Sequence, residues 1–418
     1  IRKFIRRHKA AVAAGVVAIV SLAAGAGLAA NEARAAARER DVALSVSEFL
    51  TELFEASDPY SEERLDTLRV GALLDLGTAR ARDEFAERPA LRARMLGALG
   101  RAHRSLGSLP TARSLLEEAL TTTLEVHGED ALEVAAARHE MARLLAEEAE
   151  YAEAERLYRA ALDVRRRRGT VTEQAETIGW LGEMLRVQSR FDEAEPLLLE
   201  ALELRRERAR TSGEAEPLAA SLGMLASYHQ DTGDYASAES LRREALDIRR
   251  SAFGPGHPLV ADALASLATV LFQLQRFEDA AAAQEEALAI YRTALADPHP
   301  KLASALNVLG VILADVDELE RSEAALEAAV DMRRRLYGDE HPGVAVVLNN
   351  LAYTLRMRGD VERAEAVYRE SLAMNRRIHG DDHIEVAKLL NNLASLLGAG
   401  GRHAEAEPLG REAVAIMQ

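Results

Sequence analysis

HPGVAVVLNNLAYTLRMRGDVERAEAVYRESLAMNRRIHGDD, residues 341–382, decides how the rest of the chain is read. It is one copy of a unit whose neighbours begin at His257-Pro258, His299-Pro300 and His383-Ile384, each start lying 42 residues from the next. A fixed period of this size means a stack of like supersecondary units, each burying its apolar face against its neighbours. Register is set by a small residue late in each unit: Ala112, Ala154, Ala194, Ala238, Ala280, Ser322, Ala364 and Ala406. Twelve residues before each stands Gly or Ala, from Gly100 to Ala394, and Leu or Met precedes every one of these. Seven residues after each stands Ala or Ser, from Ala119 to Ala413. Three small columns at fixed offsets let two antiparallel helices of a unit, and the first helix of the next, approach closely. The sequence therefore predicts eight helix pairs over residues 91–418.

Composition agrees with an all-helical chain. It is rich in Ala, Leu, Glu and Arg, with 4% aromatic and 29% charged residues among 418. There is no cysteine, which excludes disulfides, thiolate metal sites and cysteine nucleophiles. The formal net charge is −16, and residues 1–30 carry five Lys or Arg and no acid, so the acidic excess lies wholly beyond them. An acidic body argues against nucleic acid as the main partner, because phosphate neutralisation supplies most of that affinity.

The amino end has a different character. Residues 1–9 are a basic segment, expected to be cytoplasmic and juxtamembrane. Residues 10–30, AAVAAGVVAIVSLAAGAGLAA, carry no charge and would form about 31 Å of helix, the thickness of a bilayer core. A single transmembrane helix is the leading expectation. A cleavable signal ending near Leu28-Ala29-Ala30 and a buried Ala-rich helix are the alternatives. The flanking Arg2, Lys3, Arg6, Arg7 and Lys9 put the amino side in the cytoplasm and the repeats outside it. Residues 31–90 read as a helical linker and a capping helix pair. Its first helix covers Val42–Ser57 and ends at Asp58-Pro59, and its second covers Leu68–Phe85 ahead of Pro89.

The units resemble the tetratricopeptide repeat in the 42-residue form of kinesin light chains. LNNLA at Leu348–Ala352 and Leu390–Ala394 carries the resemblance, together with the tail of Ala245–Pro258, ALDIRRSAFGPGHP. The fold it implies is a right-handed superhelical solenoid of helix pairs. Pro258, Pro300 and Pro342 suit the first helical position, and Gly338 and Gly380 suit the end of the preceding helix. A second resemblance rests on RRHK ahead of the uncharged span, Ser47–Pro59 and Pro89–Leu96. It is to the segment after the catalytic domain of bacterial transmembrane Ser/Thr protein kinases, and it implies that the chain is the sensory or docking part of such a kinase. No Gly-rich phosphate loop, H-R-D loop or D-F-G site is present, so the residues themselves are read as non-enzymatic. An exported soluble adaptor is the alternative.

Resemblance to peptide-binding tetratricopeptide domains points to the asparagine columns of the first helices: Asn307, Asn349 and Asn391, with Asn350 and Asn392 beside them. A side-chain amide both donates to and accepts from an extended peptide backbone. Lys388 shares a face with Asn391 and Asn392, and with Arg356 it suits a carboxylate. Tyr353 completes the residues of the opening stretch that the fold does not require. The alternative is that these asparagines bond neighbouring helices. Nearer the amino end Arg101, Arg104, His139 and Arg143 give a more basic groove, and Trp180 is either an aromatic anchor or core. The runs Arg165–Arg168, Arg205-Arg206 and Arg333–Arg335 are expected to be solvated helix ends. His257, His299, His341 and His383 are read as helix caps and not as metal ligands, since stacking separates them beyond the reach of one ion. No catalytic residue, metal or cofactor is expected. The partners are protein or peptide ligands in the groove and the membrane through residues 10–30.

Overall fold

The computed structural model describes residues 70–417, in which 17 helices and no strand occur. The expected span at residues 10–30, the basic segment before it and the predicted helix 42–57 lie outside the described residues. No described helix is long and apolar enough to cross a membrane. The described residues divide into two compact units, with the boundary between Thr170 and Val171.

In the amino-terminal unit, α1 (Val70–Glu84) precedes two helix pairs, α2 (Pro89–Ser105) with α3 (Leu109–His127) and α4 (Leu132–Glu147) with α5 (Tyr151–Arg168). Helix α1 matches the second predicted capping helix. Its Ala81, with Phe85 just beyond it, packs on Leu91, Met95, Leu96 and Leu99 of α2 and Leu115 and Ala119 of α3, covering the edge of the first pair.

The carboxyl-terminal unit holds six pairs. They are α6 (Val171–Val187) with α7 (Phe191–Ser212), α8 (Ala215–Asp231) with α9 (Tyr235–Phe253), and α10 (Pro258–Gln273) with α11 (Phe277–Ala294). Then follow α12 (Pro300–Asp315) with α13 (Leu319–Tyr337), α14 (Pro342–Arg358) with α15 (Val361–His379), and α16 (Ile384–Ala399) with α17 (His403–Met417). The 22-residue α7 takes up the longer of two irregular spacings, 44 residues from Ala194 to Ala238 after 40 from Ala154 to Ala194, with the change near Arg210–Glu216.

The helix boundaries have local causes. His257, His299, His341 and His383 are the residues before α10, α12, α14 and α16, and each Nδ1 accepts the backbone N–H two residues on, at 3.0–3.2 Å. This satisfies one of the amides that a helix start leaves without a partner. Gly338 and Gly380 end α13 and α15 at φ 84° and 85°, where a side chain would be strained.

Packing between the helices of a pair explains the small columns. A Cβ on Gly310 of α12 would stand 2.5 Å from Cγ of Leu326 on α13, well inside contact distance. Gly310→Ala is therefore expected to cost about 1–3 kcal/mol through overpacking. Urea melts would show this as a lower midpoint; an unchanged midpoint would mean that the pair has slack at this point. In the carboxyl-terminal unit a continuous apolar core runs from Leu246 to Ala413 along the interior of the stack.

The outer surface of that unit is laced by arginines reaching from one second helix to the next. Arg206 pairs with Glu244 at 3.0 Å, Arg250 with Glu286 at 2.6 Å and Arg363 with Glu327 at 2.9 Å, while Arg334–Glu370 and Arg376–Glu412 continue the series. Each exposed pair contributes at most about 1 kcal/mol.

Candidate functional site

The first helices of the carboxyl-terminal unit meet one another directly. Asn350 of α14 donates its amide to Oδ1 of Asn307 on α12 at 2.9 Å, and Asn392 of α16 donates to Oδ1 of Asn349 on α14 at 3.0 Å. The asparagines are thus a two-rung ladder that ties the last three pairs together. Four of the five candidates serve the stack through one half of the amide each. This corrects the expectation that Asn349 and Asn350 are left over from the fold. Each amide keeps hydrogen-bonding capacity, because its carbonyl has two lone pairs and its nitrogen two protons.

Asn391, the fifth, is exposed on α16 and makes no side-chain hydrogen bond with another described residue. It lines a cavity of about 310 Å³ together with Asn349, Asn392, Lys388, Val346 and Asn375. The structure therefore brings four of the predicted residues to one place. Lys388 is held by Glu385 on its own helix at 2.7 Å, an exposed ion pair that a ligand carboxylate can displace. Arg356 is one step removed on α14, its guanidinium lying 5.0 Å from the centre of the Tyr353 ring. Beneath them Tyr368 of α15 is fully enclosed, and burial pushes its hydroxyl pKa upward against the opposing Arg356 charge. Val346 and Met357, both 48% exposed, extend Tyr353 into an apolar stripe along α14. Sequence reading passed over them, although their spacing of seven and four residues from Tyr353 was a usable signal.

Four residues after the third small column stand Arg165, Arg205, Arg249, Tyr291, Arg333 and Asn375, of which the sequence reading singled out Arg165, Arg205 and Arg333 only as members of arginine runs. Arg249 reaches Glu216 at 2.7 Å, Tyr291 donates to Asp262 at 2.5 Å, and Arg333 donates to the Gly343 carbonyl at 2.8 Å. These side chains project between helices. The expectation of solvated arginine runs fails for Arg165 and Arg205, which are only 4% and 8% exposed. Burial lowers the Arg205 pKa, with Glu176 and Glu214 opposing. Trp180 is half-buried on α6, between the packed Ile178 and Leu181.

The basic residues predicted near the amino end belong to the other unit. Arg101 is exposed, whereas Arg104 is buried and held by Glu147 at 3.0 Å and Glu140 at 3.6 Å. His139 is 1% exposed and meets the Tyr158 ring edge-on at 5.6 Å. Burial first, then Arg165, Arg143 and Arg104, holds its pKa well below 6.5, so it is neutral when folded. The unfolded chain takes up this proton near pH 6.5 and the folded chain does not, so stability falls as pH drops below that value. The slope from this one group approaches 1.4 kcal/mol per pH unit. Melting temperatures between pH 7.5 and 5.5 should fall more for the native chain than for His139→Phe. Parallel curves would dismiss the linkage.

The all-helical pairs and their columns define a class of helical-repeat scaffold. Tetratricopeptide-repeat family models match residues 91–167, 217–293, 301–377 and 347–418, and a further one matches 175–208. The chain belongs to the tetratricopeptide-repeat family. No curated protein matches it. Among solved structures it is similar to the apo form of the quorum sensor NprR from B. thuringiensis, with 14% identity over 90% of this chain and 99% of that one, at a TM-score of 0.60. Aspartyl phosphate phosphatase F from Bacillus subtilis is similar at 14% identity over 90% and 94%, with a TM-score of 0.54. These two likenesses concern the fold alone. BtubC (BKLC) from P. vanneervenii is 26% identical over 54% of this chain and 91% of that one, at a TM-score of 0.49.

Proposed function

We propose that the chain is a scaffold that binds an extended protein or peptide segment along the first helices of its carboxyl-terminal unit. The observation that carries this reading is the cavity where Asn349, Lys388, Asn391 and Asn392 converge beside the exposed stripe of Val346, Tyr353 and Met357. Amides there match the alternating donors and acceptors of an extended backbone, Lys388 suits an acidic or terminal carboxylate, and the stripe takes apolar side chains. Rigid repeats present these groups with little ordering cost. Selection of random dodecapeptides on the intact chain, followed by titration calorimetry, tests the proposal. Peptides should emerge whose affinity falls at least fivefold with Asn391→Ala or Lys388→Ala. Selected peptides indifferent to both substitutions would refute it.

The same proposal includes a membrane tether at residues 10–30, with the repeats outside the cytoplasm, supported by the uncharged span and its basic flank. Carbonate-washed membranes should retain the chain; its appearance in the supernatant would favour the exported adaptor. The link to a Ser/Thr kinase is supported by the resemblance of residues 6–96 and requires a kinase catalytic loop encoded in frame ahead of Ile1.

A further inference from the structure

The asparagine ladder stops one repeat before Asn307. The positions equivalent to the bonded pair Asn350–Asn307 are Val308 on α12 and Ala265 on α10, each 42 residues earlier. Both amides are absent here, and since a cavity of about 310 Å³ also remains beside the bonded pair Asn349–Asn392, the departure is one of lining chemistry. A cavity of about 350 Å³ opens there between α10, α11 and α12, large enough for a side chain when one water takes about 30 Å³. A second departure from the repeat coincides with it. Gln284 of α11 occupies a column that holds the fully enclosed Leu326 and Tyr368 in the next two pairs, yet it is itself 1% exposed. Its Nε2 donates to the Ala305 carbonyl at 3.0 Å. That bond fixes the amide orientation, since a carbonyl only accepts, and it leaves Oε1 buried without a donor. A buried polar atom in this state costs about 1–3 kcal/mol unless something satisfies it.

The remaining polar groups define what that something is. Ser266 and Thr269 spend their hydroxyl protons on the carbonyls of Asp262 and Ala265, at 2.8 and 3.1 Å, so they offer the cavity lone pairs. Asp262 is already engaged by Lys301 at 2.7 and 2.8 Å and by the Tyr291 hydroxyl at 2.5 Å, so the charges at the rim cancel. Ser304, exposed on α12, and Lys301 are the donors at the rim. A carboxylate could take only the rim donors and would set its second oxygen against the acceptor oxygens of Ser266 and Thr269. A guanidinium or ammonium would find its counter-charge taken, and an aliphatic chain would leave the Ser266 and Thr269 oxygens without a donor. A carboxamide supplies N–H groups to the acceptors and an oxygen to the rim donors.

We infer that this cavity is a pocket for an asparagine or glutamine side chain of the polypeptide lying along the first helices, an inference that rests on the function proposed above. An immobilised array of acetyl-Ala-Ala-Ala-Xaa-Ala-Ala-Ala peptides, with Gln, Asn, Glu, Leu or Arg at Xaa, tests it against the full chain. Gln and Asn peptides should be retained at least fivefold better than the others. Ala265→Leu, which fills the cavity from a half-buried position, should erase the preference, as should Gln284→Leu, with helicity checked by circular dichroism in both. Equal retention of all five peptides, a preference for Leu, Glu or Arg, or a carboxamide preference that survives Ala265→Leu overturns the pocket and leaves the groove proposal standing. Retention of no peptide overturns both.

Discussion

Tyr368→Ala is expected to destabilise the carboxyl-terminal unit by about 3–5 kcal/mol, the range for deleting a fully buried aromatic side chain. Tyr368 lies in the apolar core, 1% exposed. In a stack each pair is stabilised mainly by the adjacent ones, so the loss should stay local. Hydrogen exchange should show protection lost across α14 to α17 and retained in α6 to α9. Tyr368→Phe keeps the volume and should remain within about 1.5 kcal/mol of the native chain. Uniform loss of protection throughout α6 to α17 would mean that the unit melts as one cooperative body. Because Tyr368 lies under Arg356 and Tyr353, the alanine variant should also weaken any ligand that these residues hold.

The second large effect concerns the ladder. Replacing Asn349, Asn350, Asn391 and Asn392 together by alanine removes the amide bonds to Asn307 and between Asn349 and Asn392. Two such bonds are worth about 1 kcal/mol each, so melting should fall by a few degrees. Binding of a selected peptide should fall far more, by at least tenfold, or about 1.4 kcal/mol. Asn307→Ala separates the two contributions, because it breaks one rung while leaving the cavity of Asn349, Asn391 and Lys388 intact. It should lower the melting point and leave affinity within about twofold. Equal losses of affinity from Asn307→Ala and Asn391→Ala would make the ladder purely structural.

Much of the fold was legible because its causes repeat. The close approach of Gly310 to Leu326 imposes a small residue at the same offset in every pair, and the histidine caps recur at the starts of α10, α12, α14 and α16. The site was less legible, because it depends on the offset between neighbouring pairs. The ladder joins residues 43 apart, one more than the period, and that offset was visible as Asn307 to Asn350 and Asn349 to Asn392 without showing that the amides meet. Arg205 and Arg206 look alike in sequence but stand about 100° apart on α7, so that Arg205 is enclosed while Arg206 reaches outward to Glu244. Gln284 carried a signal of its own, a polar residue in a column that holds Leu or Tyr in five of the eight pairs, with Arg242 and Gly410 the other exceptions. Its meaning emerges only beside the shortened pair Ala265 and Val308.

The central claim is that the first-helix face of the carboxyl-terminal unit holds the ligand. Photo-crosslinking from two positions tests it most directly, using benzoylphenylalanine at Val346, which lines the cavity on α14, and at Arg369, exposed on the second helix α15. With a peptide selected on the native chain, the account predicts covalent capture from position 346 and none above background from position 369. Capture from 369 alone, or equally from both, would contradict it.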